Sequence, residues 1–182
     1  MVEREPLAIT MTGVRMGERV LQIGLSDARL TAKLAAKPGL SGHAALVVSD
    51  ERASERARSA AAESGLLIDV HVAPLHALPL GDRTFDVVIV HDAAPTLAAL
   101  DAGTRAQAMA ECHRVLRSGG RLVTLETGTR TGIAALLHRA PAVDERYNAA
   151  GGTTAVLEAA GFKAVRLLAD REGYRFIEGL KK

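Results

Sequence analysis

Short apolar runs that are followed by stretches of helical periodicity recur along the chain. The run at residues 19–24 (RVLQIG) ends in Gly24, and Ser26 and Asp27 stand where their side-chain oxygens can cap the next helix. The run at 85–90 (FDVVIV) is almost continuously apolar, which is typical of a central strand covered on both faces. The predicted strands are 19–24, 44–49, 66–72, 85–90, 121–125, 164–169 and 174–179, and the predicted helices are 28–37, 53–64, 104–117 and 153–160.

The alternation of strands and helices predicts an α/β fold. Right-handed crossovers between parallel strands give a Rossmann-like three-layer sandwich, and the short separation of the last two runs, at 170–173, predicts a hairpin. We therefore expect one domain over residues 1–182, with a mostly parallel seven-stranded sheet and a C-terminal antiparallel hairpin strand. Residues 127–152 carry glycines and Pro141 that interrupt regular patterns, and a loop or flap is predicted there.

Composition narrows the classes of partner. The 182 residues are 48% hydrophobic and 24% charged with a formal net charge of +2, and the arginines are spread along the chain, so nucleic-acid binding is not predicted. No apolar run approaches the roughly 20 residues of a membrane span, and residues 1–13 do not resemble a signal peptide. The single Cys112 is interpreted as a buried hydrophobe. We expect a cytoplasmic protein, and a protein partner or homo-oligomer is left open.

Three stretches carry a resemblance to a known family. They are GVRMGERVLQIG at 13–24, LPLGDRTFDVVIV at 78–90 and ECHRVLRSGGRLV at 111–123. The third, a helix ending in HRVLR and followed by two glycines before a strand, is the most specific. Together they resemble the class I S-adenosylmethionine-dependent methyltransferases, in particular the small-molecule branch with the ubiquinone and menaquinone biosynthetic enzymes.

The resemblance implies that the loop after the first strand wraps the methionine end of S-adenosylmethionine. Its usual pattern is an acidic residue followed by three glycines at alternate positions, whereas this chain has Gln22, Gly24, Ser26 and Ala28. Ser26 and Ala28 each add a Cβ where glycine would leave room for a ligand. Gln22 lacks the charge that favours an ammonium group, and Asp27 is interpreted as a helix cap that can also restore a carboxylate. The expected cofactor is therefore S-adenosylmethionine, bound weakly or not at all.

The resemblance also implies residues for the nucleoside end of the cofactor. Asp50, after the second strand, would accept hydrogen bonds from the ribose hydroxyls, with Glu51 as a neighbouring substitute, and a solvated loop acid is the alternative interpretation. Pro74 occupies the place of the usual acidic residue for adenine. Because proline offers neither an N–H nor an acceptor side chain, adenine would pack on Leu75.

His91 and Asp92 follow the fourth strand, where members of the family contact the transferable methyl group. A histidine there could act as a base near neutral pH, but the pair could equally close the strand and cap the next turn. His76 is a second candidate, while His113 is interpreted as structural. The histidine spacing does not predict a metal site. Two functions follow: a methyltransferase acting on an unknown small molecule, or a non-catalytic relative that serves as an interaction or regulatory subunit.

Overall fold

A computed structural model describes residues 5–127, 145–171 and 173–182. Seven strands form one sheet, and seven helices are seen within the described ranges. The strands are β1 (Arg19–Ile23), β2 (His43–Val48), β3 (Asp69–Val72), β4 (Phe85–His91), β5 (Leu116–Thr127), β6 (Lys163–Arg171) and β7 (Tyr174–Leu180). The helices are α1 (Glu5–Thr12), α2 (Ala28–Ala36), α3 (Glu51–Glu63), α4 (Ala93–Ala98), α5 (Ala102–Val115), α6 (Glu145–Ala149) and α7 (Gly152–Ala159).

The sheet has the order β3-β2-β1-β4-β5-β7-β6. Strands β1 to β5 are parallel, and β7 runs antiparallel to both of its neighbours, β5 and β6. The mostly parallel seven-stranded sheet and its C-terminal antiparallel hairpin are therefore confirmed. Because the chain reverses its direction of winding between β1 and β4, a crevice opens at the carboxyl ends of these strands, which is where open α/β sheets bind ligands.

Both faces of the sheet are covered, which explains why its central strand is apolar throughout. Val88 and Val90 of β4 pack on the face that carries α4, α5 and α7, whereas Val87 and Ile89 pack on the face that carries α1 and α2. These four side chains are completely buried. Cys112 is also completely buried, and the predicted role of a buried hydrophobe is confirmed.

The third strand is shorter than predicted. It begins at Asp69 rather than at residue 66, because residues 65 and 66 close helix α3. Gly65 has a φ of +64°, and the N–H of Leu66 donates to the carbonyl oxygen of Ala61 at 2.9 Å, which is the pattern of a left-handed helix cap. The boundary placed at residue 66 is therefore wrong.

Helix boundaries also differ from the prediction. Helix α5 begins at Ala102, two residues before the predicted start, because the side chain of Asp101 accepts a hydrogen bond from the N–H of Thr104. Helices α1, α4 and α6 were not predicted, since all three are short and their sequences lack a long periodic stretch. Helix α6 lies within the stretch 127–152, where a loop or flap was predicted. Of the irregular stretch 127–152, residues 128–144 lie outside the described residues. No helix in the described ranges is long and apolar enough to cross a membrane.

Candidate functional site

A cavity of about 230 Å³ lies in the crevice at the carboxyl ends of β1, β2 and β4. Its wall is mainly apolar, with polar groups at the end of β2 and after β4. Four of the residues predicted from the sequence line it, namely Gly24, Leu75, His91 and Asp92. The other lining residues are Ile23, Leu25, Val47, Val48, Ser49, Ala73 and Thr96. The lining does not include the other predicted residues, Gln22, Ser26, Ala28, Asp50 and Glu51, although each is within three positions of a lining residue in the sequence.

Gly24 is the first residue after β1 and forms the tight part of the loop. Its φ is +80°, a conformation that side chains other than glycine rarely adopt. A Cβ added here would lie 3.4 Å from the carbonyl oxygen of His91 and 3.8 Å from the Cβ of the same residue. The backbone conformation therefore favours glycine here, whereas the added Cβ itself would be in ordinary van der Waals contact with β4.

Asp92 is the first residue after β4 and has a left-handed backbone, with φ 49° and ψ 43°. Although it precedes α4, its side chain makes no capping hydrogen bond, so the interpretation as a side-chain cap is wrong. Burial raises the pKa of the Asp92 carboxyl, and a hydrogen bond from Thr127 partly opposes this effect. An uncommon backbone conformation and a carboxyl with a raised pKa in one cavity are typical of functional sites.

His91 is buried and is hydrogen-bonded to a second buried side chain. Its Nε2 lies 2.9 Å from Oε1 of Gln22, whose Nε2 donates to the carbonyl oxygen of Thr31 at 2.9 Å. Its Nδ1 lies 3.4 Å from Oγ of Ser26. Burial lowers the pKa of His91 to about 4, although the negative charge of Asp27 acts in the opposite direction. The ring is therefore neutral at neutral pH.

The loop between β1 and α2 is held by its own cap. Oδ1 of Asp27 accepts hydrogen bonds from the N–H groups of Arg29, at 2.8 Å, and Leu30, at 3.1 Å, which confirms its interpretation as the helix cap. Ala28 is the first residue of α2, and Ser26 is exposed.

Asp50 and Glu51 lie just outside the cavity, at the start of α3. Oδ1 of Asp50 accepts a hydrogen bond from the N–H of Ala53 at 2.9 Å, and Oγ of Ser49 donates to its Oδ2 at 3.1 Å. These two hydrogen bonds lower the pKa of the exposed Asp50 carboxyl. Asp50 is therefore a helix cap in this structure, and Ser49 is the polar side chain of this segment that lines the cavity.

Of the other histidines with predicted roles, His76 is exposed beside Leu75, whereas His113 packs edge-on against Phe162 with ring centroids 5.1 Å apart, as its structural interpretation requires. Within the described ranges, no three His, Cys, Asp or Glu side chains are grouped so that they could hold a metal ion.

A buried polar group at the carboxyl end of β5 was not predicted from the sequence. Glu126 accepts a hydrogen bond from the hydroxyl of Thr153, whose oxygen lies 2.9 Å from the hydroxyl of Tyr147. Burial raises the pKa of Glu126, while the hydrogen bond from Thr153 lowers it. The sequence clue was an acidic residue near the end of an otherwise apolar strand. This group joins β5 to α6 and α7 beside the cavity edge of the sheet.

Comparison with known proteins identifies the family. The sequence profile of a family described as a methyltransferase domain matches residues 21–124, which is more than half of the chain. The chain belongs to this methyltransferase family. The matched range includes Gln22, the β1–α2 loop and His91, so the cavity lies within the part of the chain that defines the family. S-adenosylmethionine is the cofactor of this class of methyltransferases, as the resemblance implied.

Curated relatives include the ubiquinone/menaquinone biosynthesis C-methyltransferases UbiE of Teredinibacter turnerae and Vibrio vulnificus. Over 120 residues the chain is 34% identical to the first and 32% identical to the second. The match covers 65% of this chain but only 46% and 44% of those proteins. The chain thus matches less than half the length of these relatives.

Solved structures confirm the fold. A SAM-dependent methyltransferase from Aquifex aeolicus superposes with a TM-score of 0.76 at 18% identity and covers 97% of this chain and 88% of its own. A SAM-dependent O-methyltransferase from Thermotoga maritima has a TM-score of 0.70 at 16% identity, covering 100% of this chain and 66% of its own. At this level of identity the similarity establishes the Rossmann-like architecture.

Proposed function

We propose that this chain is an S-adenosylmethionine-dependent methyltransferase acting on a small molecule, with the cofactor held in the cavity beside β1, β2 and β4. The observation that supports this most strongly is the position of the cavity. It opens at the carboxyl ends of the strands, at the point where the sheet reverses its winding, in a chain of a methyltransferase family. We also propose a cytoplasmic location, which agrees with a single, buried cysteine.

The residues around the cavity are compatible with the parts of this cofactor. Leu75, Val47 and Val48 offer an apolar wall for adenine, and Ser49 and Asp50 offer oxygen atoms on the side of the ribose. The Asp92 carboxyl offers an acceptor to a cationic group. Ala28 and Glu51 are the first residues of α2 and α3, and the N-termini of these helices face this edge of the sheet. They would contribute to the site through this position. When bound, the cofactor supplies a methyl group on a sulfonium, which is ready for in-line displacement.

Within the proposed site, Asp92 is better suited than His91 to accept a proton. The His91 ring is buried, its Nε2 faces Oε1 of Gln22, and burial lowers its pKa to about 4, so it is a weak base at neutral pH. The Asp92 side chain lines the cavity without a capping hydrogen bond, and burial raises its pKa. A base must also lie within hydrogen-bond reach of the proton that it removes. We therefore propose that Asp92 orients the acceptor and removes its proton where methylation requires it. The acceptor itself is a small molecule that reaches the cavity edge.

Titration with S-adenosylhomocysteine by calorimetry tests this proposal. Gly24→Ala should lower the free energy of unfolding by about 1 to 2 kcal/mol, because alanine is strained at positive φ, and it should also weaken or abolish binding. Gly65→Ala is the matched control, since Gly65 also has a positive φ, +64°, but no atom within 4 Å of an added Cβ. It should lose similar stability and keep its affinity.

Equal affinity of the Gly24→Ala variant and the parent would show that the ligand does not lie against this loop. No binding to the parent at millimolar ligand would instead contradict the proposed enzyme and favour the non-catalytic alternative, an interaction or regulatory subunit.

A further inference from the structure

The hydrogen bonds around Gln22 fix the orientation of its amide. The carbonyl oxygen of Thr31 can only accept, so the Gln22 atom 2.9 Å away from it must be the donor Nε2. The other amide atom, Oε1, then faces Nε2 of His91 at 2.9 Å. Both Gln22 and His91 are buried, and this contact joins residues 69 positions apart on the neighbouring strands β1 and β4.

This orientation also fixes the tautomer of the His91 ring. Because the amide oxygen of Gln22 can only accept a hydrogen bond, Nε2 of His91 carries the proton. In a neutral imidazole the other nitrogen, Nδ1, then holds a lone pair. Nδ1 lies 3.4 Å from Oγ of Ser26, so the Ser26 hydroxyl donates its proton to the ring.

A hydroxyl whose proton is engaged in this way presents only lone pairs to other partners. Ser26 is exposed on the loop between β1 and α2. The carboxylate of Asp27 lies in the same loop, and that of Asp92 lines the cavity. This edge of the cavity therefore combines an oriented hydroxyl acceptor with negative charge. Such a combination favours a cationic N–H donor over an anionic group.

We propose that Gln22 and His91 are positioning residues that orient the Ser26 hydroxyl as an acceptor for the ammonium group at the amino-acid end of the cofactor. The proposal rests on the function proposed above. The ammonium group would then be recognised through a chain of hydrogen bonds between neutral groups, Thr31–Gln22–His91–Ser26, in which the tautomer of His91 is fixed. This chain takes the place of a charged side chain at position 22.

Nitrogen NMR of the ¹⁵N-histidine-labelled protein tests the first step without any ligand. The parent should show His91 as a single neutral tautomer with the proton on Nε2. Gln22→Met, which keeps the length of the side chain but removes the amide, should release this preference and give a mixture of tautomers. A proton on Nδ1 of His91 in the parent would overturn the proposal, because Nδ1 could then not accept from Ser26.

Calorimetry with two probes tests the second step. S-adenosylhomocysteine carries the ammonium group, whereas 5′-methylthioadenosine has the same nucleoside and thioether without the amino-acid end. Ser26→Ala and Gln22→Met should each weaken S-adenosylhomocysteine about five- to tenfold, as expected for one hydrogen bond. Both variants should bind 5′-methylthioadenosine as the parent does. If the residues act as one chain, the double variant should lose little more than either single variant.

Arg52→Ala, on the exposed side of α3, is the control for unspecific effects and should bind both probes normally. Equal losses of affinity for both probes in Ser26→Ala would overturn the positioning role and leave the proposed function standing. If neither probe binds to the parent, the proposed function fails, and this inference fails with it.

Discussion

The two ends of the sheet are built from different polar chemistry. At the amino ends of β1, β4 and β5, carboxylates pair with arginines, as in Arg121 with Glu18, where the shortest distance is 3.0 Å. Asp86, at the start of β4, pairs with Arg117 and accepts the N–H of Arg19. At the carboxyl ends, the buried polar contact between β1 and β4 is the neutral pair Gln22 and His91.

For the partly or fully buried carboxyls at the ends of β4 and β5, the pKa directions follow the same division. Burial would raise the pKa of Asp86, but the N–H of Arg19 and the side chain of Arg117 outweigh it and lower the pKa. For Asp92 and Glu126, at the carboxyl ends, burial dominates and raises the pKa. Charges are neutralised by partners within the protein at one end, whereas the other end keeps groups that can still exchange a proton or accept a donor. The paired end stabilises the fold, and the other end is suited to a ligand.

The largest effect on stability should come from removing Arg114, whose ion pairs lie at the amino ends of the strands. Its guanidinium binds Glu111 and Asp82 and donates to the carbonyl oxygens of Leu78 and Leu80, so one side chain fixes the connection that leads into β4. Arg114→Ala should lower the free energy of unfolding by about 1 to 3 kcal/mol, because it leaves the partly buried Glu111 carboxylate and two carbonyl groups without their donor. The pair with the exposed Asp82 adds little to this loss. Urea denaturation measures this loss.

If the two ends of the sheet are independent, the loss of stability in Arg114→Ala should not affect the cavity. Arg114→Ala should bind S-adenosylhomocysteine with the parent's affinity at temperatures where it is folded, because Arg114 does not line the cavity. Arg52→Ala, at an exposed position of α3, should change the stability by no more than about 0.5 kcal/mol. A large loss of affinity in Arg114→Ala would show that the two ends of the sheet are coupled.

The second prediction uses two aspartates at opposite ends of β4. The folded pKa of Asp86 is lowered below 3.8, so its contribution is present above that pH and is lost as the pH falls through the folded pKa. Asp86→Asn should therefore cost about 1 to 2 kcal/mol at neutral pH and less in acid. The pKa of Asp92 is raised above 3.8, so the folded state loses stability as the pH rises from 3.8 through the folded pKa.

Asp92→Asn removes this loss and should be more stable than the parent at neutral pH, and equal to it in acid. The free energies of unfolding of the parent and both variants, measured between pH 3 and 7, give the stability difference between each variant and the parent at each pH. As the pH rises, this difference should become unfavourable for Asp86→Asn and favourable for Asp92→Asn. A change in the same direction for both variants would contradict the division between the ends of the sheet.

The fold could be predicted from the sequence because its determinants are local. The apolar run of β4 and the glycines that end the predicted helices are read directly along the chain, and alternating strands and helices leave few topologies. Three short helices, α1, α4 and α6, were missed, and the other errors lie at boundaries. Residues 65 and 66 cap a helix instead of starting a strand, a distinction that depends on a left-handed backbone at Gly65.

The site was predictable only in its position. The resemblance placed Gly24, Leu75, His91 and Asp92 at the cofactor, and all four line the cavity, where strand ends meet at one edge of the sheet. The partner of His91 could not be predicted, since Gln22 is 69 residues away and the contact depends on the register of β1 and β4. The contact of Glu126 with Thr153 likewise joins residues 27 positions apart.

The smallest effect separates two roles of Asp50. In the structure its carboxylate caps α3, whereas the resemblance implied that it holds the ribose. Serine is as good a helix cap as aspartate but carries no charge, so Asp50→Ser should change the free energy of unfolding by less than about 0.5 kcal/mol. Asp50→Ala, which removes the cap, should lose about 1 kcal/mol.

If Asp50 only caps the helix, both variants keep the parent's affinity for S-adenosylhomocysteine. A tenfold weaker affinity in Asp50→Ser at unchanged stability would mean that the carboxylate turns to the ribose when ligand is bound, and that Ser49, which now donates to it, changes partner as well.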